Sequence, residues 1–178
     1  MQPAGMPSTT ARTQRLFTAL WPAQPLRDAI AKWQATWDWP RQSARVETQR
    51  LHATLHFLGD VPARRLPELV RSLAVPFEPF EMELGIGAVW PNGVAVVEPL
   101  AAPPALLRLH AGMGAVLARL ELPMDTRPYR PHVTLARRAH GAKVPAQGPA
   151  LRWLVDDGYA LVRSLPGGAG YEVLERFG

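Results

Sequence analysis

Cysteine is absent from the 178 residues, and with it go disulfides, thiolate zinc sites, iron–sulfur clusters and a cysteine nucleophile. Lysine is scarce: 18 of the 20 basic residues are arginine. These arginines are scattered along the chain and, against 15 acidic residues, leave a net charge of +5. A moderate positive field of this kind favours polyanions such as RNA or nucleotides. Long apolar runs are missing as well. No stretch approaches the roughly 18 residues of a spanning helix, and residues 1–14 lack the apolar segment of a signal peptide, so a cytoplasmic protein without a membrane partner is expected. The chain also has no His-Glu-x-x-His helix and no aspartate cluster, so no metal and no other cofactor is expected. What is present is 47% apolar residues, enough for a chain of this length to bury roughly 70% of its unfolded surface and build a core that supports a cleft.

Residues 1–14 are rich in Ser, Thr, Pro and Gly and read as a mobile tail, which leaves 15–178 as a single domain. Residues 15–20 read as a strand. Pro25 then opens a helix with Leu26, Ala29, Ile30, Trp33 and Trp37 at helical spacing. A polar loop over 40–49 leads to a strand over 51–58, ended by Gly59-Asp60, and a helix through Leu66, Leu69, Val70 and Leu73. Phe80, Met82, Leu84 and Ile86 alternate with Glu81, Glu83 and Gly85, the period-2 pattern of a half-buried strand, and Pro91-Asn92-Gly93 turns it into a partner over 94–97. Leu106, Leu109, Met113, Val116, Leu117 and Leu120 mark one face of a helix over 104–120. A strand over 132–137 follows a Pro-rich loop, and residues 159–164 and 171–177 form a hairpin around Gly167-Gly168-Ala169-Gly170. Helices interspersed with adjacent hairpins predict an α+β fold with mainly antiparallel sheets.

One tetrapeptide pattern occurs twice, His52-Ala53-Thr54-Leu55 and His132-Val133-Thr134-Leu135. Two of five histidines followed by x-Thr-Leu has chance odds on the order of one in a few thousand. Residues two apart on a strand share a face, so each copy presents an imidazole beside a hydroxyl, with Ala53, Leu55, Val133 and Leu135 on the core side. Two such strands around one cleft suit proton transfer on both sides of a phosphate. One histidine removes a proton from the attacking oxygen and the other gives one to the leaving oxygen, and an imidazole with an unperturbed pKa of about 6.5 can do either. Thr54 and Thr134 would hold the phosphate oxygens where charge develops.

These residues also carry a family resemblance. The segment from Arg50 through His52-Ala-Thr-Leu-His-Phe-Leu-Gly59, and the segment from Arg127 through His132-Val-Thr-Leu-Ala-Arg137, resemble the paired signatures of the two-histidine phosphoesterases. With the opening Gln14-Arg-Leu-Phe-Thr-Ala-Leu20 and the closing Ser164…Tyr171 hairpin, the chain is similar to bacterial RNA 2′,3′-cyclic phosphodiesterases, also called 2′-5′ RNA ligases. The resemblance implies a bilobal fold of two pseudo-symmetric halves, each giving one His-x-Thr strand to a central groove. It also implies metal-free hydrolysis of RNA 2′,3′-cyclic phosphate ends to a 2′-phosphate, with RNA ends or 2′,3′-cyclic nucleotides as partners. One departure is visible. Family members often carry Arg and Trp on the strand after the central turn, where this chain has Asn92-Gly93-Val94-Ala95-Val96-Val97.

His52 and His132 are thus the expected acid and base, and the motif symmetry leaves both assignments open. Arg137, in the matched pattern, and Arg130, flanking it, are candidate phosphate contacts. His56, at i+4 from His52, would share the site face as an outer contact; at about 13 Å along a strand the two cannot ligate one metal. His110 is expected to pack in its helix face, Phe57 to point to the core by strand parity, and Tyr129 and Trp90 to be packing aromatics. A monomer with no obligatory protein partner is expected. Two other readings stay open: a nucleotide-binding module without turnover, and a ligase or esterase acting on 2′-5′ linkages.

Overall fold

The computed structural model describes residues 12–178. Its elements are β1 (Thr13–Leu20), α1 (Gln24–Gln34), β2 (Ala44–Arg45), β3 (Ala53–Pro62), α2 (Leu66–Ser72), β4 (Phe80–Val89), β5 (Ala95–Pro99), α3 (Pro104–Arg119), β6 (Val133–Arg137), β7 (Leu151–Val155), β8 (Tyr159–Ser164) and β9 (Tyr171–Phe177). The strands join in one sheet of order β7-β4-β5-β6-β3-β1-β8-β9, with β2 paired to β6. Every pairing is antiparallel. The α+β class is as the sequence predicts.

The strand order is built from two matching halves. β1, α1 and β3 form a pair of neighbouring strands with a helix between them, and β5, α3 and β6 repeat the arrangement; β8 and β9 extend the first half as β4 and β7 extend the second. The halves meet at β3 and β6, where Ala53 pairs with Val133. Extending that register by one residue on each side sets His52 opposite Thr134 and Thr54 opposite His132, so the sheet itself gathers the four motif side chains on one face.

The other face is covered by the helices. Leu106, Leu109 and Met113 of α3 and Ile30 of α1 pack with Ala53, Leu55, Val133 and Leu135, while Val116 and Leu117 join Leu69 of α2 and Leu73 just past its end against Leu16, Leu58 and Leu161. These α3 residues recur at three- and four-residue steps, the stripe that helix geometry puts on one side, and each fully buried aliphatic side chain contributes about 1.5–3 kcal/mol. Gly87 on β4 lets α1 approach, since a Cβ there would stand 2.6 Å from the Trp33 ring.

The structure departs from the sequence expectations in three places. Thr13 and Gln14, assigned to the tail, belong to β1 because they pair with Pro62 and Val61 of β3; a ladder continues as long as it has a partner, beyond the apolar run that signals it. Residues 1–11 of that tail lie outside the described residues. Trp37 is buried at 4% exposure but lies past the end of α1, stacked on Trp39 at 4.8 Å. β7, which pairs with β4 through Trp153 and Met82, has no counterpart in the sequence reading. Its alternation of Leu151, Trp153 and Val155 with Arg152 and Leu154 is the signal that marks it.

Candidate active site

His52 and His132 each stand immediately before a strand, at the same place relative to β3 and β6. Each ring is held in the same way. The Nδ1–H of His52 donates to the Arg50 carbonyl at 2.6 Å, and that of His132 to the Arg130 carbonyl at 2.8 Å. A carbonyl oxygen only accepts, so Nδ1 carries the hydrogen in both rings and Nε2 is left as the nitrogen that exchanges protons. Both histidines, with Thr54 and Thr134, line one cavity of about 620 Å³. This brings together the four residues on which the sequence argument rests.

Burial pushes the His52 imidazole down to about 4, against a counteracting hydrogen bond to the Arg50 carbonyl and with smaller downward contributions from His132 and Arg137. Burial also lowers His132. There the Arg130 carbonyl and the Glu98 carboxylate oppose it, and Arg130 and Arg137 add to it. The charge of His132 thus bears on His52, and Arg137 acts on both from the cavity wall. An anion held between them favours their protonated forms.

Of the aromatic surroundings only Trp90, expected as a packing aromatic, has a counterpart in the sequence reading. Trp21 stacks on His52 at 4.9 Å, Phe17 lies at 5.1 Å, and Tyr171 meets the ring edge-on at 5.2 Å. Trp90 packs on His132 at 4.4 Å. Its Nε1–H donates to Glu98 Oε1 at 2.7 Å, and Arg130 pairs with the same carboxylate at 2.9 Å while lying over the Trp90 ring. Arg130 thus lines the cavity, where it was expected as a candidate phosphate contact, with its guanidinium paired to Glu98. The signal that marks this network is Glu98, an acidic residue on an otherwise apolar strand, only 7% exposed.

Two further expectations are overturned by bulges in β3. The register with β1 runs from Ala19↔Thr54 to Thr18↔His56, and from Phe17↔Phe57 to Leu16↔Gly59, so Leu55 and Leu58 are extra residues. Each bulge reverses the parity of the residues beyond it. His56 therefore leaves the face shared by His52 and Thr54 and is buried at 7% exposure. Its Nε2–H donates to the His110 carbonyl at 2.9 Å, and its ring stacks on His110 at 3.9 Å, which stacks in turn on Tyr129 at 3.8 Å. His56 is a packing residue at the cavity floor, not an outer phosphate contact. Phe57 takes the opposite course: expected in the core, it is 59% exposed and lines the cavity. His110 and Tyr129 pack as expected, and burial raises the Tyr129 phenol.

Among the described residues, no three His, Cys, Asp or Glu side chains converge in a way that could hold a metal ion, and no helix is long and apolar enough to cross a membrane.

A family model described as the 2′-5′ RNA ligase superfamily matches residues 21–163. The chain is 36% identical over 177 residues to the RNA 2′,3′-cyclic phosphodiesterase of Thermus thermophilus, spanning 92% of this chain and 89% of that one. It is 32% identical over 142 residues to the RNA 2′,3′-cyclic phosphodiesterase of Escherichia coli, with 79% and 80% covered. Among solved structures, Escherichia coli LigT complexed with 3′-AMP superposes with a TM-score of 0.85 at 27% identity, covering 93% of this chain and 98% of that one.

Proposed function

The chain belongs to the 2′-5′ RNA ligase superfamily, and from that premise we propose that it hydrolyses RNA 2′,3′-cyclic phosphate ends to 2′-phosphates by paired histidine catalysis without a metal. The observation that carries this reading is the repeated ring geometry. In both copies Nδ1–H is spent on the carbonyl two residues back, and Nε2 remains for the cavity.

In the reaction, one Nε2 accepts a proton from water as the water oxygen bonds to phosphorus. The P–O3′ bond breaks and the other Nε2–H protonates the departing O3′. The product is a 2′-phosphate with a free 3′-hydroxyl, and the second turnover begins once the two rings have exchanged the net proton through solvent. Thr54 and Thr134 donate to the non-bridging oxygens, where negative charge grows in the transition state. Arg137, exposed on the cavity wall, adds a permanent positive charge near the phosphate. The activity of the relatives and the superposition with a 3′-AMP complex support an RNA-like ligand. The reading needs only proton transfers, which two histidines supply.

The decisive test is incubation with 2′,3′-cyclic mononucleotides in excess chelator, with the product read by phosphorus NMR. The expected product is the 2′-phosphate at an undiminished rate. Formation of the 3′-phosphate, or activity that EDTA abolishes and zinc or magnesium restores, would refute the mechanism; binding without turnover would leave a nucleotide-binding module.

A further inference from the structure

A second cavity, of about 680 Å³, opens beside the histidine groove. The two share Arg50, Phe57, Arg137, Ser164 and Tyr171 along their common wall, so they form one continuous depression. Into this second cavity the fold gathers five of the arginines that are scattered in the sequence: Arg12, Arg15, Arg50, Arg137 and Arg163, with Asp60 as the one carboxylate in the wall. Arg50 is paired with Glu47 and Arg163 with Glu172. Arg12, Arg15 and Arg137 are exposed and have no carboxylate partner among the described residues.

Between this basic cleft and the histidines stand two exposed aromatics, Phe57 at 59% and Tyr171 at 39%. An exposed phenylalanine flanked by guanidiniums is the arrangement that binds single strands, with a base on the ring and backbone phosphates on the cations. The rim of the cleft is also left open. The turn from β8 to β9 uses Gly167, Gly168 and Gly170 at φ of 66°, 73° and 129°, conformations that disfavour side chains. A Cβ at Gly167 or Gly168 would meet nothing within 4 Å, so the glycines leave the rim open.

We propose that this cleft binds the backbone of a single-stranded RNA on the 5′ side of the terminal nucleotide held at the histidines, with a nucleobase on Phe57. The inference rests on the reading of the histidine groove as the place of a cyclic phosphate end. Such an end is the last nucleotide of its strand, so everything else in the RNA leaves it in the 5′ direction. The positive path out of the groove is the one that passes Phe57 and Arg137 into the cleft. The substrate is accordingly an oligonucleotide end, and a mononucleotide fills only part of the site.

The test uses the full chain and RNA oligonucleotides of one to six nucleotides. Binding is read by fluorescence anisotropy on strands ending in a 2′-phosphate, and turnover on the matching cyclic phosphates. Affinity should rise with each added nucleotide up to three or four and then level off. The slope of log affinity against log salt should steepen by about 0.7 for each phosphate engaged. The double variant Arg12→Ser with Arg15→Ser should bind the longer strands about tenfold more weakly and turn over the mononucleotide unchanged. Phe57→Ala should lower oligonucleotide affinity by a similar factor, about tenfold. Equal affinity for one and six nucleotides, an unaffected double variant, or equally tight binding of an oligoglutamate of matched charge would overturn the proposal. If the wild type binds the longer strands as expected but turns over no cyclic mononucleotide, the cleft stands and the phosphodiesterase reading falls.

Discussion

His52 lies in an aromatic cage, with Trp21 stacked on its face and Phe17 and Tyr171 closing its sides, whereas His132 leans on one indole, Trp90, whose N–H is held by the Glu98 carboxylate. The strands that carry them match in topology, and each ring makes the same hydrogen bond to the carbonyl two residues back. What the two halves share is orientation: the same ring nitrogen is kept for the cavity in both. What they do not share is charge. Burial lowers both imidazoles, but only His132 has a carboxylate opposing that effect. Paired titratable groups placed in different environments lose protons in separate steps, so a fold with matched halves can still present two unlike imidazoles to one phosphate.

The largest way to break the comparison is to remove one ring. His52→Ala and His132→Ala should each lower kcat/KM on a cyclic mononucleotide by about 10²- to 10⁴-fold, the range of a lost general acid or base. The double variant should lose little more, because the rings act as a unit. Independent, multiplying losses would show that each half works alone. A single variant that keeps near wild-type kcat/KM while folded by circular dichroism would refute the pairing. Next in size, Thr54→Val and Thr134→Val should each lower kcat by about a hundredfold, the lower end of what one lost donor to developing charge costs. Similar losses at both positions would show that the phosphate is gripped evenly from the two strands.

How much of this could be read from the chain depends on whether the signal was local. The His-x-Thr strands, the alternation of Phe80, Met82 and Leu84 on β4 and the stripe on α3 are patterns of neighbouring residues, and the structure keeps them, whereas Ile86, past a register shift in β4, is exposed. His56 and Phe57 lie beyond a bulge, and a bulge is decided by the partner strand: Thr18 accepts a hydrogen bond from the His56 N–H at 3.1 Å, while Leu55 is left as the extra residue. Nothing within the tetrapeptide announces that. The Glu98 network spans Trp90, Glu98 and Arg130, and the basic cleft draws on Arg12 and Arg163 from opposite ends of the chain. Such groupings arise only once long-range pairing has brought the segments together, and so they escape a reading by spacing.

Glu98→Gln sharpens the comparison with a smaller effect. The amide oxygen can still accept from the Trp90 indole, so the packing on His132 is kept while the opposing charge is removed. The limb of the pH–rate profile to which His132 contributes should move to lower pH, and kcat at the plateau should fall by less than about tenfold. The same change should leave Trp90 fluorescence near that of the wild type. An unmoved profile would show that Glu98 serves only to hold Arg130.

The smallest effect concerns a feature that reaches from the His52 strand across to the other half: the stack of His56, His110 and Tyr129 that ties β3 to α3. Burial lowers His56 and takes His110 down to about 4, with His56 adding to the shift at His110. Since the unfolded chain binds protons at an ordinary histidine pKa of about 6.5, the folded state is disfavoured as pH falls through the interval between the two values. The stability tied to the neutral rings is thus fully present above about pH 6.5 and is lost on acidification toward pH 4. His110→Phe keeps a flat ring between His56 and Tyr129 and removes one titrating group. Its Tm should fall less steeply with acid than that of the wild type. Each kcal/mol of difference corresponds to about 2–4 °C for a chain of this length. The other histidines are left in place by the change, so a calorimetric series from pH 7.5 to 4.5 isolates the stack. Parallel curves for the two proteins would mean that the stack has no part in the acid sensitivity of the contact between β3 and α3.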